Sequence, residues 1–396
     1  MPHEKFSNDL LLPELKLIKQ LKNSKNRWRI FLLEKTSPFE VCPKCATKST
    51  SVYDHVIVTI KDEPLRHRNV ILKIRKRRFR CPNCKSIFRE PVPGIRKGFR
   101  TTERFRKHVM WCCQQFMNLK KVAEKCRCSE WFVYKAHYEQ LKLETKKFQT
   151  PWPKTVGIDE HSFCRGIYGR KDFVTIFVDY NLKKIREVSM GRAPAELLSD
   201  NSLLAISGRE NVKNVVIDLS PGFRSFARTM FPNAILIADK FHILKLLSGA
   251  IIKYQKEIVG RTRKNPFKKM LLKTSHKLKP HERTVLRSIL HFYPHLRAIY
   301  MAKESIHRIF RTKGLKRVQR SLTSLTDWLA TVNVPELQTF RRTLLSWRKE
   351  ILNYFMVKIT NARTEGYNRK AKLIQRNAYG YKKFENYRLR LLTLCR

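Results

Sequence analysis

The sequence predicts a multidomain protein of mixed α+β and α/β class, and three observations carry that expectation. Two Cys-Pro-x-Cys pairs, Cys42–Cys45 and Cys81–Cys84, bracket strand-like runs. Three short helical periods follow one another between Thr101 and Thr145. Past Pro151 and Pro153, strands alternate with helices until long helical periodicity takes over near His242. At 396 residues the chain is long enough to bury two or three cores.

Residues 1–38 form an N-terminal segment with an amphipathic stretch, Leu10 to Leu21, and a strand around Trp28 to Leu33. Residues 39–98 read as a small β module with strands at Val52 to Ile60 and Val70 to Phe79. Each cysteine pair sits on a tight turn, and two such knuckles offer four thiolates to one ion. Cys42, Cys45, Cys81 and Cys84 are therefore expected to hold a structural zinc that does no chemistry, with free thiols or a redox role as the alternatives. Between the knuckles, Lys73 to Arg80 carries six basic residues in eight. Alternation along a strand would turn Arg75, Arg77 or the neighbouring Arg78 toward phosphates, against the plainer reading of a solvated charged face.

Residues 99–150 suit a helix-turn-helix: Glu103 to Phe116 after Thr102, then Leu119 to Cys126, then Glu130 to Leu141 capped by Ser129. Ala123 is small where two helices would cross, and Cys126 to Cys128 supplies the turn. The third helix would aim Glu130, Tyr134, Lys135 and His137 at a groove. Cys112, Cys113, Cys126, Cys128, Cys164 and Cys395 lack clear ligand spacing and default to core packing.

Residues 151–396 form the last expected domain. Strands at Thr155 to Ile158, Phe173 to Val178 and Lys184 to Ser189, separated by turns containing Gly169, Asn181 and Gly191, read as an antiparallel meander. A helix at Pro194 to Ile206, a strand at Asn214 to Ile217, a helix at Pro221 to Met230 and a strand at Ala234 to Ala238 follow. A helical insertion is expected over about 243–350.

Composition narrows the partner. The chain carries 84 Lys plus Arg against 32 Asp plus Glu, a formal net charge of +52. A compact body with that charge repels itself, so a polyanion that releases counterions on binding is the natural partner, and nucleic acid fits best. Residues 251–300 alone hold 13 Lys or Arg and 2 Glu. No apolar run reaches the length of about 18 residues that a membrane span needs. The start lacks a signal-peptide pattern, so a cytoplasmic, DNA-associated protein is expected.

Chemistry is sought among the acids. Val156-Gly-Ile-Asp159, Val215-Val-Ile-Asp218 and Leu236-Ile-Ala-Asp239 repeat one arrangement, an apolar strand ending in Asp. Such an Asp costs free energy to bury unless it is paired or binds metal; alone, it is more often a turn residue. If the first two strands are neighbours, their carboxylates emerge together, and a third acid is needed from a covering helix. Glu365 is the candidate, in a segment whose helical spacing also carries Asn368, Lys372 and Arg376 toward phosphate along one face. An ordinary amphipathic surface helix is the alternative, and Asp179 reads as structural.

Gly157-Ile-Asp159-Glu160, Asp218-Leu-Ser-Pro-Gly-Phe, Asp239-Lys-Phe-His242 and Asn361 to Gly380, with the knuckles and the helix-turn-helix, resemble insertion-sequence transposases of the ISL-three family over nearly the whole chain from about residue 40. The resemblance implies a ribonuclease H-like, mixed-sheet catalytic domain whose acidic triad is Asp159, Asp218 and Glu365. The triad's spacings, 59 and 147 residues, place the helical insertion in the second gap. Asp239 and His242 match a family motif and stand as possible auxiliaries.

The implied activity is cleavage of double-stranded DNA at the element's ends and strand transfer into a target, supported by two Mg²⁺ or Mn²⁺ ions. Holding two ends together implies a homo-oligomer on DNA. A transposon-derived DNA-binding regulator that no longer cuts is the alternative, and a nuclease acting on RNA or RNA–DNA hybrids a more remote one.

Overall fold

Alternating burial along two long strands sets the first half of the molecule. The computed structural model describes residues 12, 14–21, 28–115, 118–147, 150–165, 171–259 and 266–395. The expected helix end at Phe116, the turn at Gly169, the start of the amphipathic stretch at Leu10 and the side chain of Cys164 lie outside the described residues. The chain divides into two units, residues 1–143 and 144–396.

In the first unit, β1 (Leu15–Leu21), β2 (Trp28–Lys35), β5 (Val52–Leu65) and β6 (Arg68–Arg80) form a sheet of order β1-β2-β6-β5, with β7 (Ile87–Arg89) also on β6. Strands β2 and β6 run parallel and the other pairs antiparallel. Val70, Leu72 and Ile74 alternate inward with Leu33 and Ile60 to make this unit's first core. Arg66 and His67 both take positive φ, 47° and 61°, the backbone that closes a two-residue hairpin with the right twist.

The knuckles flank this hairpin. One lies between β3 (Glu40–Val41) and β4 (Lys48–Ser49), the other between β6 and β7. They share a backbone: Ala46 N–H donates to Cys42 O at 2.9 Å and Lys85 N–H to Cys81 O at 3.1 Å. Ala46 and Lys85 are both left-handed. The thiols converge, with Sγ separations of 3.6 Å for Cys42–Cys84 and 3.4 Å for Cys45–Cys81. Four thiolates around one zinc stand about 3.8 Å apart, so the set has the expected size.

Arg77 and Arg78 are ion-paired within the module. The Arg77 Nε–H donates to Glu90 Oε2 at 2.9 Å, and Glu90 is fully buried. The Arg78 Nε–H donates to Asp54 Oδ1 at 2.5 Å. Arg77 is thereby tied to a buried acid of the module, whereas the Arg78 pair is part-exposed and Arg75 is exposed.

Helices α1 (Glu103–Gln115), α2 (Leu119–Cys126) and α3 (Glu130–Lys147) follow the sequence reading closely. Asn118 caps α2, Ser129 Oγ accepts from Phe132 N–H at 3.2 Å, and Arg127 turns the chain between α2 and α3 at φ 48°. Phe105, Val109, Val122, Ala123 and Val133 form the core with three cysteines. Tyr134 and Lys135 are exposed on α3, but His137 is buried and cannot reach a groove.

The second unit is a five-stranded mixed sheet of order β10-β9-β8-β11-β12, made of β8 (Thr155–Arg165), β9 (Lys171–Asp179), β10 (Lys184–Met190), β11 (Asn214–Ile217) and β12 (Ile235–Ala238). The meander β8-β9-β10 is antiparallel, and β11 and β12 add parallel to β8. Asp179 is structural, as expected: its Oδ1 accepts from Asn181 N–H at 2.7 Å and Leu182 N–H at 2.8 Å to close the β9–β10 turn.

The helix expected at 194–206 is two, α4 (Pro194–Leu198) and α5 (Asn201–Leu204), because Asp200 stops one and caps the next. Helix α6 (Pro221–Met230) covers the sheet as expected, and α7 (Lys240–Lys245) follows β12. The insertion comprises α8 (Ser248–Val259), α9 (Pro266–Leu272), α10 (Pro280–Phe292), α11 (Pro294–Ile309), α12 (Leu315–Thr331) and α13 (Pro335–Ser346). Helix α14 (Arg348–Val357) returns to the sheet, where the Asn353 amide donates to Leu236 O at 2.7 Å. Helices α15 (Ala362–Asn377) and α16 (Phe384–Leu394) complete the chain. Among the described residues no helix is long and apolar enough to cross a membrane.

Gly157 marks where α15 meets the sheet. A Cβ there would collide with the Thr364 hydroxyl and the Tyr180 ring, so only hydrogen admits the helix this closely. Gly157→Ala should lower stability by about 1–3 kcal/mol through overpacking. Chemical denaturation of the full chain measures this, and an unchanged midpoint would contradict the close approach.

Candidate active site

Register brings the repeated Asp pattern together. Val216 pairs with Gly157 on one side and with Ile237 on the other, both in parallel. Two residues further along each strand stand Asp159, Asp218 and Asp239, so these acids form one row across β8, β11 and β12.

Helix α15 and its cap cross the row from above. The Asn361 side-chain amide donates to Asp218 Oδ1 at 3.0 Å, and the Asn368 amide donates to Asp159 Oδ2 at 2.5 Å. Glu365 lies between them, four residues after Asn361 and three before Asn368, hence along the same side of the helix. In this structure its side chain is 44% exposed and accepts from the Arg369 guanidinium at 2.7 Å.

The three Asp residues differ in how far their charge is met. Asp239 is buried and fully engaged: Oδ1 accepts from Asn361 N–H at 3.0 Å, and Oδ2 from His242 N–H at 3.2 Å and the His242 ring at 2.9 Å. Burial would raise its pKa, but these bonds outweigh burial and hold it below the usual carboxylate value. The His242 Nδ1 also lies 3.0 Å from Asp218 Oδ1. Bonding to Asp239 holds the imidazole above its ordinary pKa despite burial, with the charge of Asp218 adding to it.

Asp159 receives neutral donors, whereas Asp218 has the Asn361 amide and the His242 ring beside it. Burial, then the charge of Asp159, pushes Asp218 up to about 7. Burial, then the charge of Glu160, pushes Asp159 up to about 6, against the Glu160 N–H bond at 2.8 Å. Two half-buried acids of raised pKa in one row, met by two amides and one imidazole, suit added positive charge.

Behind Asn368 stands a relay that sequence reading missed. Asn368 Oδ1 lies 3.0 Å from His161 Nδ1, and His161 Nε2 lies 2.7 Å from the Tyr387 hydroxyl. His161 is two residues beyond Asp159 on the same strand face, and burial lowers its pKa to about 4, so it is neutral. Asn368 is thus a buried support for Asp159, which corrects its assignment as a phosphate contact. Lys372 and Arg376 are exposed further along α15, in keeping with that assignment. Asn361 was also missed. Its spacing from Asn368, with an acid between, was the available signal.

Comparison with known proteins gives three matches along the chain. A family model described as a transposase matches residues 156–391. A zinc-finger model of the transposases of IS204, IS1001, IS1096 and IS1165 matches residues 38–84, which supports structural zinc at the four converged cysteines. The helix-turn-helix model of transposase family ISL3 matches residues 90–134 and supports DNA as a partner. The transposase of insertion sequence element IS1001 from Bordetella parapertussis is 20% identical over 379 residues, covering 91% of this chain and 89% of that protein. With the catalytic-domain match alone spanning more than half its length, the chain belongs to the ISL3 family of transposases.

Proposed function

We propose that the chain binds the ends of its own insertion sequence and catalyses divalent-metal-dependent strand cleavage and strand transfer, with Asp159, Asp218 and Glu365 as the metal-holding acids. The observation that carries this reading is the row of register-matched Asp residues crossed by α15, whose Asn361 and Asn368 grip Asp218 and Asp159 on either side of Glu365.

The residues suit a hard divalent cation. Asp159 and Asp218 are half-buried in one row and both have a raised pKa; the side-chain amides that hold them bring no charge and, of the two, His242 meets Asp218 alone, so a cation relieves what the protein leaves uncompensated. All the proposed donors are carboxylate oxygens, which favours Mg²⁺ or Mn²⁺. When bound, such ions activate an oxygen nucleophile and stabilise the leaving oxygen of a phosphodiester.

The chain's own contribution is placement. Asn361 and Asn368 fix the carboxylate orientations, and the His161–Tyr387 pair fixes Asn368. Asp239 has its oxygens committed to His242 and Asn361, so it serves as the anchor that holds the α15 N-terminus over the row. Glu365 is the acid left accessible on that helix. Lys372 and Arg376 extend from the same helix as phosphate contacts, and Tyr134 and Lys135 extend from the third helix of the helix-turn-helix.

Asp159→Asn, Asp218→Asn and Glu365→Gln should each slow Mg²⁺-dependent cleavage of an end-containing duplex by about 10³-fold, the worth of several kcal/mol of lost charge stabilisation. Gel-shift affinity for the uncut end should stay within about threefold. Cleavage by Glu365→Gln at the unmodified rate would remove that residue from the site. Binding without Mg²⁺-dependent cleavage by the unmodified chain would favour the regulator.

A further inference from the structure

The helix-turn-helix core holds a second group of metal-ligating side chains. His108, Cys112 and Cys126 bring one imidazole nitrogen and two thiols within 4.8 Å of one another. His108 and Cys112 are four residues apart on α1, hence on one face, and Cys126 closes α2. His108 Nε2 lies 3.6 Å from Cys112 Sγ. A nitrogen and a sulfur bound to one tetrahedral zinc stand about 3.5 Å apart, given bond lengths of about 2.0 and 2.3 Å.

Two further features point the same way. The other ring nitrogen of His108, Nδ1, lies 3.6 Å from Glu63 Oε1, beyond a hydrogen bond but on the side from which a carboxylate can orient a metal-bound ring. Cys128 follows Cys126 by two residues in the same turn and, although outside the group of three, is the next thiol along the chain from it. Core packing accounts for a buried cysteine such as Cys113, but not for an imidazole turned onto two thiols with a carboxylate behind it.

We infer that His108, Cys112 and Cys126, with Cys128 as fourth ligand, form a second structural zinc site within the helix-turn-helix. The soft thiolates and the imidazole select zinc over Mg²⁺. An ion here ties α1 to the end of α2 and fixes the Arg127–Cys128 turn that precedes α3, so it would set the angle at which α3 meets DNA. It is separate from the four-cysteine knuckle set, with which it shares no residue.

The test is zinc content of the full chain, purified under reducing conditions and dialysed against excess Mg²⁺ to clear ions held by carboxylates alone. Two zinc ions per chain are expected, and one per chain overturns the proposal. The Cys112→Ser/Cys126→Ser variant should hold one. His108 lies at the core's edge, so His108→Gln leaves both thiols in place and guards against a variant that fails to fold; it too should fall toward one. Cys128→Ser should weaken retention of the second ion against a chelator without touching the first. Retention of two ions by both the double-serine and His108→Gln variants would also overturn the site.

Discussion

The shared register of β8, β11 and β12 is the constraint on which the rest of the catalytic unit depends. Parallel pairing of Val216 with Gly157 and with Ile237 leaves no choice about where the next residues fall, so the middle of β8 and the ends of β11 and β12 deliver three aspartates side by side. A slip of one residue on any of these strands would turn its Asp to the other face. The apolar residues before each Asp are buried in one large core, so that slip would also break their packing. Hydrophobic burial thereby holds a row of like charges that electrostatics alone would disperse.

The second half of the arrangement is how that repulsion is shared out. Asp239 is neutralised locally by His242 and the Asn361 backbone, whereas Asp159 is oriented by a side-chain amide and Asp218 shares His242 while still feeling the charge of Asp159. Stability favours meeting every buried charge from within; this row meets Asp239 fully, Asp218 in part through the shared His242, and leaves the rest for a cation. Gly157 belongs to the same design, because only the missing Cβ lets α15 lie close enough for Asn361 and Asn368 to reach the row.

Much of this was legible in the sequence where the information is local. The repeated Val-x-Ile-Asp pattern gave Asp159 and Asp218, matched Cys-Pro-x-Cys turns gave the knuckles, and Ser129 gave the start of α3. What failed depended on distant partners. Arg77 and Arg78 looked unpaired because their partners lie elsewhere, Glu90 just past β7 and Asp54 on β5. Asn368 looked like a surface residue because its partner Asp159 lies 209 residues away. His137 falls on the buried side of a helix whose inward face the short apolar pattern did not fix. The break between α4 and α5 was local and readable, since Asp200 before Asn201 is a cap signal inside an apolar run.

The central claim is that Asp159, Asp218 and Glu365 surround one divalent-metal centre, and mapping the polypeptide around that centre tests it most directly. Fe²⁺ exchanged for Mg²⁺ in the full chain on end DNA, with ascorbate and peroxide, cuts the backbone beside the bound ion. The account predicts cuts clustered around residues 159, 218 and 365 that excess Mg²⁺ suppresses. Cuts around 159, 218 and 239 with none near 365, or cuts indifferent to Mg²⁺, would contradict it.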